Sequence, residues 1–183
     1  MPATTAASAP PPVLAGDALL LRPLGLADAA LYLRLYTDRG LMRGLGGALA
    51  PSAAQRSFAI ARTTGGAAIG VRRWWTIRPA GDADAGGDGL GLAGLAHDTC
   101  SGELGVLVAR PYQGAGVARR ALGLLARHAF DQLGLARLHI RHHAGNAAMA
   151  AVAARLGFVR ADAHAATGPA RDWLWTRSAP PPP

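Results

Sequence analysis

The stretch Glu103-Leu-Gly-Val-Leu-Val-Ala-Arg-Pro-Tyr-Gln-Gly-Ala-Gly-Val-Ala118 decides how this chain folds. Its first half is a short apolar run typical of a strand, and Gln113 to Ala118 is a glycine-rich turn that opens a helix. Unpaired backbone N–H groups and the positive helix end converge at such a turn, which makes it an anion site. Gly145-Asn146 follows about thirty residues after the turn and precedes a second helix that closes on Leu156-Gly-Phe158.

The rest of the sequence predicts a mixed α+β domain of alternating strands and helices. About seven strands are predicted, at residues 18–23, 69–77, 90–96, 103–109, 138–142, 158–161 and 171–177. Helices are predicted after a cap at Asp28, at a Ser52-x-x-Gln55 capping box that follows Pro51, after Gly116 and over residues 147–156.

The two ends and the single cysteine limit the domain organisation. We expect a flexible tail at 1–16, one domain at 17–177 and a Pro-rich tail at 178–183, because 183 residues suit one ordinary domain. No segment approaches the apolar length of a membrane span, and the first residues do not resemble a signal peptide. Cys100 stands alone, which excludes a disulfide framework and a cysteine-based zinc site. These features predict a soluble, cytoplasmic protein with no membrane partner.

The motif residues and the order of elements resemble the GNAT family of N-acetyltransferases. The similarity covers about residues 18 to 177 and rests on Gln113-x-x-Gly-x-Ala118, Asn146 and Gly157-Phe158. The opening Leu-Leu-Leu-Arg-Pro-Leu, followed by Asp28-Ala29, is similar to the bacterial ribosomal-protein alanine acetyltransferases of the RimJ/RimL type. The resemblance implies the GNAT fold, a mixed, mostly antiparallel central sheet of about seven strands flanked by helices. It also implies acetyl transfer from acetyl-CoA to a primary amine, either a protein N-terminus or a small-molecule amine.

The charge of the chain leaves alternatives to this function open. The formal net charge is +8, and all 19 cationic side chains are Arg. Such a charge attracts coenzyme A, ribosomal RNA or acidic protein surfaces, although it equally describes a solvated surface. A non-catalytic acyl-CoA-binding regulator and a ribosome- or RNA-associated protein therefore remain alternatives. The scattered arginines and few aromatics do not indicate a dedicated nucleic-acid module, and a homodimer is left open.

The resemblance assigns the acetyl-CoA site to the turn and the strand before it. Gly114 and Gly116 let the backbone approach the pyrophosphate, and Ala115 stands where relatives often carry a cation, a role that Arg119 or Arg120 could fill. The strand would pair with the pantetheine arm, and Asn146 would bond the arm, cap its helix, or both. The implied cofactor residues are Val106, Leu107, Val108, Gln113, Gly114, Ala115, Gly116, Val117, Ala118, Arg119 and Asn146.

The catalytic candidates follow from what acetyl transfer requires, which is a neutral amine and a site for the oxyanion. Glu103, the only Glu of the chain, is the leading base, and the backbone N–H near Val106 is the expected oxyanion donor. His97, His142 and His143 are rivals of Glu103. No metal is expected to take part.

Three further features of the sequence argue against a functional role or support one only weakly. Where relatives place a hydroxyl after the Asn, this chain has Met149 and Ala153, so no acid for the departing thiolate is evident. Tyr112 could supply one, although beside the turn it more simply packs as an anchor. The loop Asp82-x-Asp84-x-Gly86 lacks the ligand pattern of an EF-hand, and we interpret it as an acidic hairpin loop.

Overall fold

The structure is built on one eight-stranded sheet, seen in a computed structural model that describes residues 11–16, 18–63, 70–81, 89–161 and 172–180. The strands are β1 (Leu14–Gly16), β2 (Leu19–Pro23), β3 (Arg73–Pro79), β4 (Gly91–His97), β5 (Ser101–Val108), β6 (Arg137–His143), β7 (Val159–Arg160) and β8 (Asp172–Ser178). Their order is β1-β2-β3-β4-β5-β6-β8-β7. Within it only β5 and β6 are parallel, and every other recorded pair is antiparallel.

Helices cover both faces of this sheet. They are α1 (Ala29–Thr37), α2 (Arg39–Met42), α3 (Pro51–Thr63), α4 (Val117–Arg127) and α5 (Ala147–Arg155). A π-helical turn, His128–Gln132, continues α4 up to Gly134, where the sequence predicted the end of the helix. Within the described ranges, no helix is long and apolar enough to cross a lipid bilayer.

Two apolar layers place the helices on opposite faces. On one face α4 packs against the sheet through Leu122 and Leu125, which meet Trp75 and Leu95. On the other face α1 and α3 pack over the sheet, with Tyr32 and Phe58 in the same cluster as Leu92 and Leu107. Along β5, residues therefore alternate between an α4 face and an α1/α3 face.

The N-terminal end of the sheet corrects two predictions. Leu14–Gly16, assigned to the flexible tail, forms the edge strand β1 and pairs with β2, which makes the sheet eight strands rather than about seven. The carbonyl of Pro12 also accepts a hydrogen bond from the buried indole of Trp75 at 2.8 Å. The Ala- and Pro-rich composition hid both contacts, although β2 follows β1 directly along the chain and only the Pro12–Trp75 bond joins residues far apart in sequence.

Other boundaries move by a few residues. β3 begins at Arg73 rather than 69 and continues to Pro79, where it pairs with Leu19. Helix α3 begins at Pro51, a position that suits proline, so Ser52 lies inside its first turn and does not cap it. Ser178, assigned to the C-terminal tail, is the last residue of β8. Ile69, the acidic segment 82–88 and residue 171 lie outside the described residues.

Asp28 also differs from its predicted role as the cap of α1. Its carboxylate turns back to accept a hydrogen bond from the Gly25 N–H at 2.7 Å and one from Arg22 at 2.8 Å. Arg78 lies 3.8 Å from the same carboxylate. Asp28 is 2% exposed, so it is a buried anion facing two guanidinium groups. It ties the turn before α1 to strands β2 and β3.

Candidate active site

The sheet opens between its two parallel strands. β5 pairs with β6 only from Ser101 to Leu104, opposite Arg137 to Ile140. Beyond this point β5 continues to Val108 and β6 to His143, each paired only on its outer side in the recorded register. Backbone groups of a strand edge require hydrogen-bond partners. The inner edge of β5 at Val106 and Leu107 can therefore pair with an extended ligand.

The glycine turn lies at the end of this opening. Gly114 has φ +80° and Gly116 has φ +75°, both in the left-handed region that disfavours a side chain. Gly116 is the N-cap of α4 and provides no side-chain cap, so the first amides of the helix have no side-chain partner there. A Cβ atom added to either glycine would meet nothing within 4 Å. The turn thus presents open space in front of a helix N-terminus, as an anion site requires.

The side chains of the turn hold its shape. The Gln113 amide donates to the Val108 carbonyl at 2.9 Å, which closes the turn onto the end of β5. Arg120 donates to the Ala115 carbonyl at 3.0 Å, so a guanidinium lies beside the turn although Ala115 carries no charge. Arg119 is exposed. Val117 is buried in the core, which fixes the first turn of α4 against the sheet.

Asn146 begins α5 at the same end of the sheet. Its side-chain oxygen accepts a hydrogen bond from the Met149 N–H at 3.0 Å, so it is the N-cap of α5. Its side-chain NH₂ group has no recorded partner and the residue is exposed. The capping interpretation is confirmed. It also leaves the amide hydrogens available to a ligand in the opening.

Glu103 lies one residue before the last paired residue of β5, at the base of the opening. By alternation it shares the α1/α3 face with Leu107. Its carboxylate accepts a hydrogen bond from Arg72 at 2.5 Å, and Arg141 lies 3.7 Å from its second oxygen. The side chain is 37% exposed. Glu103 is therefore a solvent-accessible carboxylate flanked by two guanidinium groups.

Sequence reasoning missed Arg72 and the space that admits it. Gly94 and Gly105 are directly opposite each other in β4 and β5. A Cβ at Gly105 would come within 2.6 Å of the Arg72 guanidinium, and one at Gly94 within 2.9 Å of the Trp74 ring. Arg72 thus lies across two glycines, over Trp74 at 5.6 Å, to reach Glu103. Nothing in the sequence pointed directly to this space, because the pairing of Gly94 with Gly105 depends on the register of the assembled sheet.

Tyr36 of α1 is another residue of this face that the sequence did not reveal. Its ring stacks on Tyr32 with centroids 4.3 Å apart. Burial, reinforced by Tyr32, raises the pKa of the Tyr36 hydroxyl well above its usual range, while the charge of Arg72 opposes the rise. Tyr36 stays protonated at any working pH. Its hydroxyl can donate a hydrogen bond but is a poor general acid.

The rival histidines occupy different places. His97 ends β4 at the far end of the sheet and bonds the Asp98 carbonyl through Nδ1. His142 is buried and stacks on Trp175. His143 is exposed, accepts from the Gly145 N–H at 3.1 Å and lies near Gly44, so of the three it is the one beside the opening. His139 is opposite Glu103 in the register, and burial lowers its pKa.

The two positions that lack hydroxyls are both turned inward. Ala153 is fully buried, and Met149 is partly buried against the core. Tyr112 packs between both core layers, as an anchor would. The described residues bring together no group of His, Cys, Asp or Glu that could hold a metal ion.

A cavity of about 450 Å³ lies between α1, α2 and the segment after β5. Asp38 and Arg110 form a bidentate pair on its wall, with contacts of 2.7 and 3.0 Å. The Arg110 guanidinium, with the Leu41 N–H next, holds the pKa of the Asp38 carboxyl well below its usual range. The lining residues are Arg34, Leu35, Asp38, Leu41, Ala109, Arg110, Pro111 and Tyr112.

Comparison with known proteins finds one matching family and several structures with the same fold. The family described as "Acetyltransferase (GNAT) domain" matches residues 18–159. An acetyltransferase structure from Agrobacterium tumefaciens is 25% identical, with a TM-score of 0.75 over 91% of this chain and 94% of that one.

Two further structures share the fold at lower identity. RimL, a ribosomal L7/L12 alpha-N-protein acetyltransferase in complex with coenzyme A, is 16% identical (TM-score 0.71, covering 92% of this chain and 98% of that one). The spermidine N-acetyltransferase from Vibrio cholerae, in complex with CoA and spermine, is 17% identical (TM-score 0.66, covering 88% and 94%). No curated protein matches the sequence.

Proposed function

Because this chain belongs to the GNAT acetyltransferase family, we propose that it transfers the acetyl group of acetyl-CoA to a primary amine. One observation carries the proposal: the opening between β5 and β6 leads directly to the uncapped glycine turn of α4. An extended arm that ends in phosphates matches this combination of strand edge and anion site. Two structures similar to this one were solved with coenzyme A.

In this proposal the cofactor spans the opening. The backbone of Val106, Leu107 and Val108 pairs with the pantetheine arm, although the Val108 carbonyl already accepts from Gln113. The amides from Gly114 to Ala118 hold the pyrophosphate, assisted by Arg119 and Arg120. The Asn146 NH₂ group bonds the arm from the β6 side. No metal is needed for any of these contacts.

The chemistry starts from a neutral amine. Its nitrogen attacks the thioester carbonyl, the Val106 N–H stabilises the oxyanion, and the C–S bond breaks to release CoA thiolate. Glu103, acting directly or through a water molecule, takes the proton that the amine loses. With Met149 and Ala153 turned inward, the thiolate leaves with the help of solvent and not of a protein acid.

Glu103 also bears on the class of acceptor. Carboxylates as a class are much weaker bases than amines, which favours an acceptor amine that is already partly neutral. An α-amino group with a pKa near 8 is about one tenth neutral at pH 7, whereas an alkyl amine with a pKa near 10.4 is neutral in less than about one part in a thousand. We therefore infer a protein N-terminus as acceptor, in keeping with the RimJ/RimL-like opening of the chain, and a polyamine as the second candidate.

A screen for CoA release tests the proposal. Peptides beginning with Ala or Ser, spermidine and lysine are each mixed with acetyl-CoA and the protein, and thermal shifts are recorded in parallel. Turnover with N-terminal peptides supports the proposal. A thermal shift with acetyl-CoA but no turnover would identify a non-catalytic acyl-CoA-binding protein, which the absent thiolate acid favours. Salt-sensitive RNA binding with no response to acetyl-CoA would favour the ribosome-associated alternative, which the net charge of +8 suggests.

A further inference from the structure

Three basic side chains meet at the end of the sheet remote from the glycine turn. Arg73 is the first residue of β3 and His97 the last of β4, and the register pairs Arg73 with Leu95, two positions from His97. Both therefore lie on the α4 face of neighbouring strands. His128, the first residue of the π-helical turn, covers this face, with its ring 6.3 Å from that of Trp75. We call Arg73, His97 and His128 the basic cluster.

Arg73 and His128 are buried without partners, and His97 is half-buried with only its Nδ1 atom bonded, to the Asp98 carbonyl. Arg73 and His128 are each 7% exposed. The Nε atom of Arg73, both ring nitrogens of His128 and Nε2 of His97 are buried and lack a hydrogen-bond partner. None of the ion pairs recorded in the described part of the chain includes these residues. Arg78, on the same strand as Arg73, differs in this respect. It is also buried, but it faces the carboxylate of Asp28.

Burying these polar groups without hydrogen-bond partners costs free energy unless a ligand supplies the missing partners. Buried polar groups in folded proteins are almost always paired, and an unpaired buried cation is among the most expensive. Burial, and next the charges of Arg73 and His97, lower the pKa of His128. A π-helical turn is itself rare and often lies at functional sites. The donors here are the guanidinium group of Arg73 and the imidazole N–H of His128, which match the oxygens of an oxyanion.

We propose that the basic cluster binds one small oxyanion, of which inorganic phosphate and sulfate are the simplest representatives. The anion would accept hydrogen bonds from Arg73 and from His128, with His97 beside them, at a site separate from the glycine turn at the other end of α4. The small exposure of Arg73 and His128 selects a compact ion over a nucleotide or a nucleic-acid backbone. The proposal does not depend on the acetyl-transfer reaction.

The site is tested by calorimetric titration with phosphate and, separately, with sulfate. Chloride at equal ionic strength is the control. Because the glycine turn also suits phosphates, the titration uses Gly116→Glu, which blocks that turn, beside the wild type. Gly116→Glu should show one saturable site, and the wild type should show the same site together with any binding at the turn. In Gly116→Glu, phosphate or sulfate should raise Tm by roughly 5–10 °C at about 100 times Kd. Absence of saturable binding by phosphate and sulfate in Gly116→Glu overturns the proposal.

Two arginine variants of the same strand make the test specific. Arg73→Met should abolish binding and raise Tm in anion-free buffer, because it removes an uncompensated buried charge. Arg78→Met is the matched control, which should keep the binding but lower Tm, since Asp28 then loses a cation. If Arg73→Met does not fold, the same titration is made on His128→Leu. Its affinity for phosphate and sulfate should be lower by roughly tenfold or more. Wild-type affinity in Arg73→Met, or in His128→Leu, refutes the assignment.

Discussion

Replacing Glu103 by Gln separates its chemical role from its structural one. The substitution keeps the shape of the side chain but removes the proton acceptor at the base of the opening. Loss of a general base costs on the order of 10²–10⁴ in rate, so kcat should fall by that factor. The affinity for acetyl-CoA should remain nearly unchanged, because no proposed cofactor contact involves this carboxylate.

The cost in stability follows from the exposure of the ion pair. The Arg72 and Glu103 side chains are 28% and 37% exposed, and pairs this accessible contribute about 0–1 kcal/mol. For a chain of 183 residues that corresponds to less than about 4 °C in Tm. A large loss of kcat with a small change in Tm is thus the expected signature. Stopped assays of CoA release at saturating substrate, with calorimetric melting, measure both quantities.

The matched control is Arg72→Gln, which breaks the same ion pair but leaves the carboxylate in place. If Glu103 merely neutralises Arg72, both variants should lose activity equally. If Glu103 is the base, Arg72→Gln should lose much less activity, because the carboxylate that accepts the proton is still present. A loss below about threefold in Glu103→Gln would refute the reasoning and move the role to His143, His139 or solvent.

Three other changes test separate parts of the structure. Gly116→Glu should abolish the thermal shift with acetyl-CoA, while Gly134→Glu, which carries the same left-handed strain (φ +65°) at the far end of the helix, should retain it. The alkaline limb of the kcat–pH profile should stay flat until the protein unfolds, and a fall that Tyr112→Phe removes would make Tyr112 the thiolate acid. Asp28→Ala should cost about 3–5 kcal/mol in denaturant unfolding, because two guanidinium groups lose a buried carboxylate, and a cost below about 1 kcal/mol would contradict the burial argument.

A pH titration of stability completes the set. The folded-state pKa of His128 is lowered by burial, so the unfolded chain binds more protons as pH falls below about 6.5, the ordinary value. In anion-free buffer the free energy of unfolding should therefore decrease as pH drops below that value and level off beneath the folded-state pKa. His128→Leu should flatten part of this slope in urea melts. An unchanged slope would show that other groups, including His139, cause it.

Local chemistry was enough to predict the conformation of the glycine turn. Gly114 and Gly116 adopt the positive φ that their residue type favours, and Asn146 caps the helix that it precedes. These features depend on neighbours within a few residues. The surroundings of Glu103 could not be predicted in the same way, because Arg72 and Arg141 reach it only after four strands have aligned in register.

The length of β5 illustrates the same distinction. Its apolar run predicted a strand at 103–109, and the structure has one at 101–108. The early end of its pairing with β6 at Leu104 has no counterpart in the sequence pattern, since the residues on both sides of it are equally suited to a strand. The opening is a property of the assembled sheet and not of either strand alone.

The first and last strands have a consequence for shortened forms of the chain. A fragment cut to the family match at 18–159 would lose β1, which covers the outer edge of β2, and β8, which pairs with β6 along its whole length. It would also leave the buried Trp75 indole without its hydrogen-bond acceptor, the Pro12 carbonyl. Bare strand edges template intermolecular pairing. Such a fragment should aggregate where the full chain stays dispersed, so the cooperative unit extends from Pro12 to Ser178.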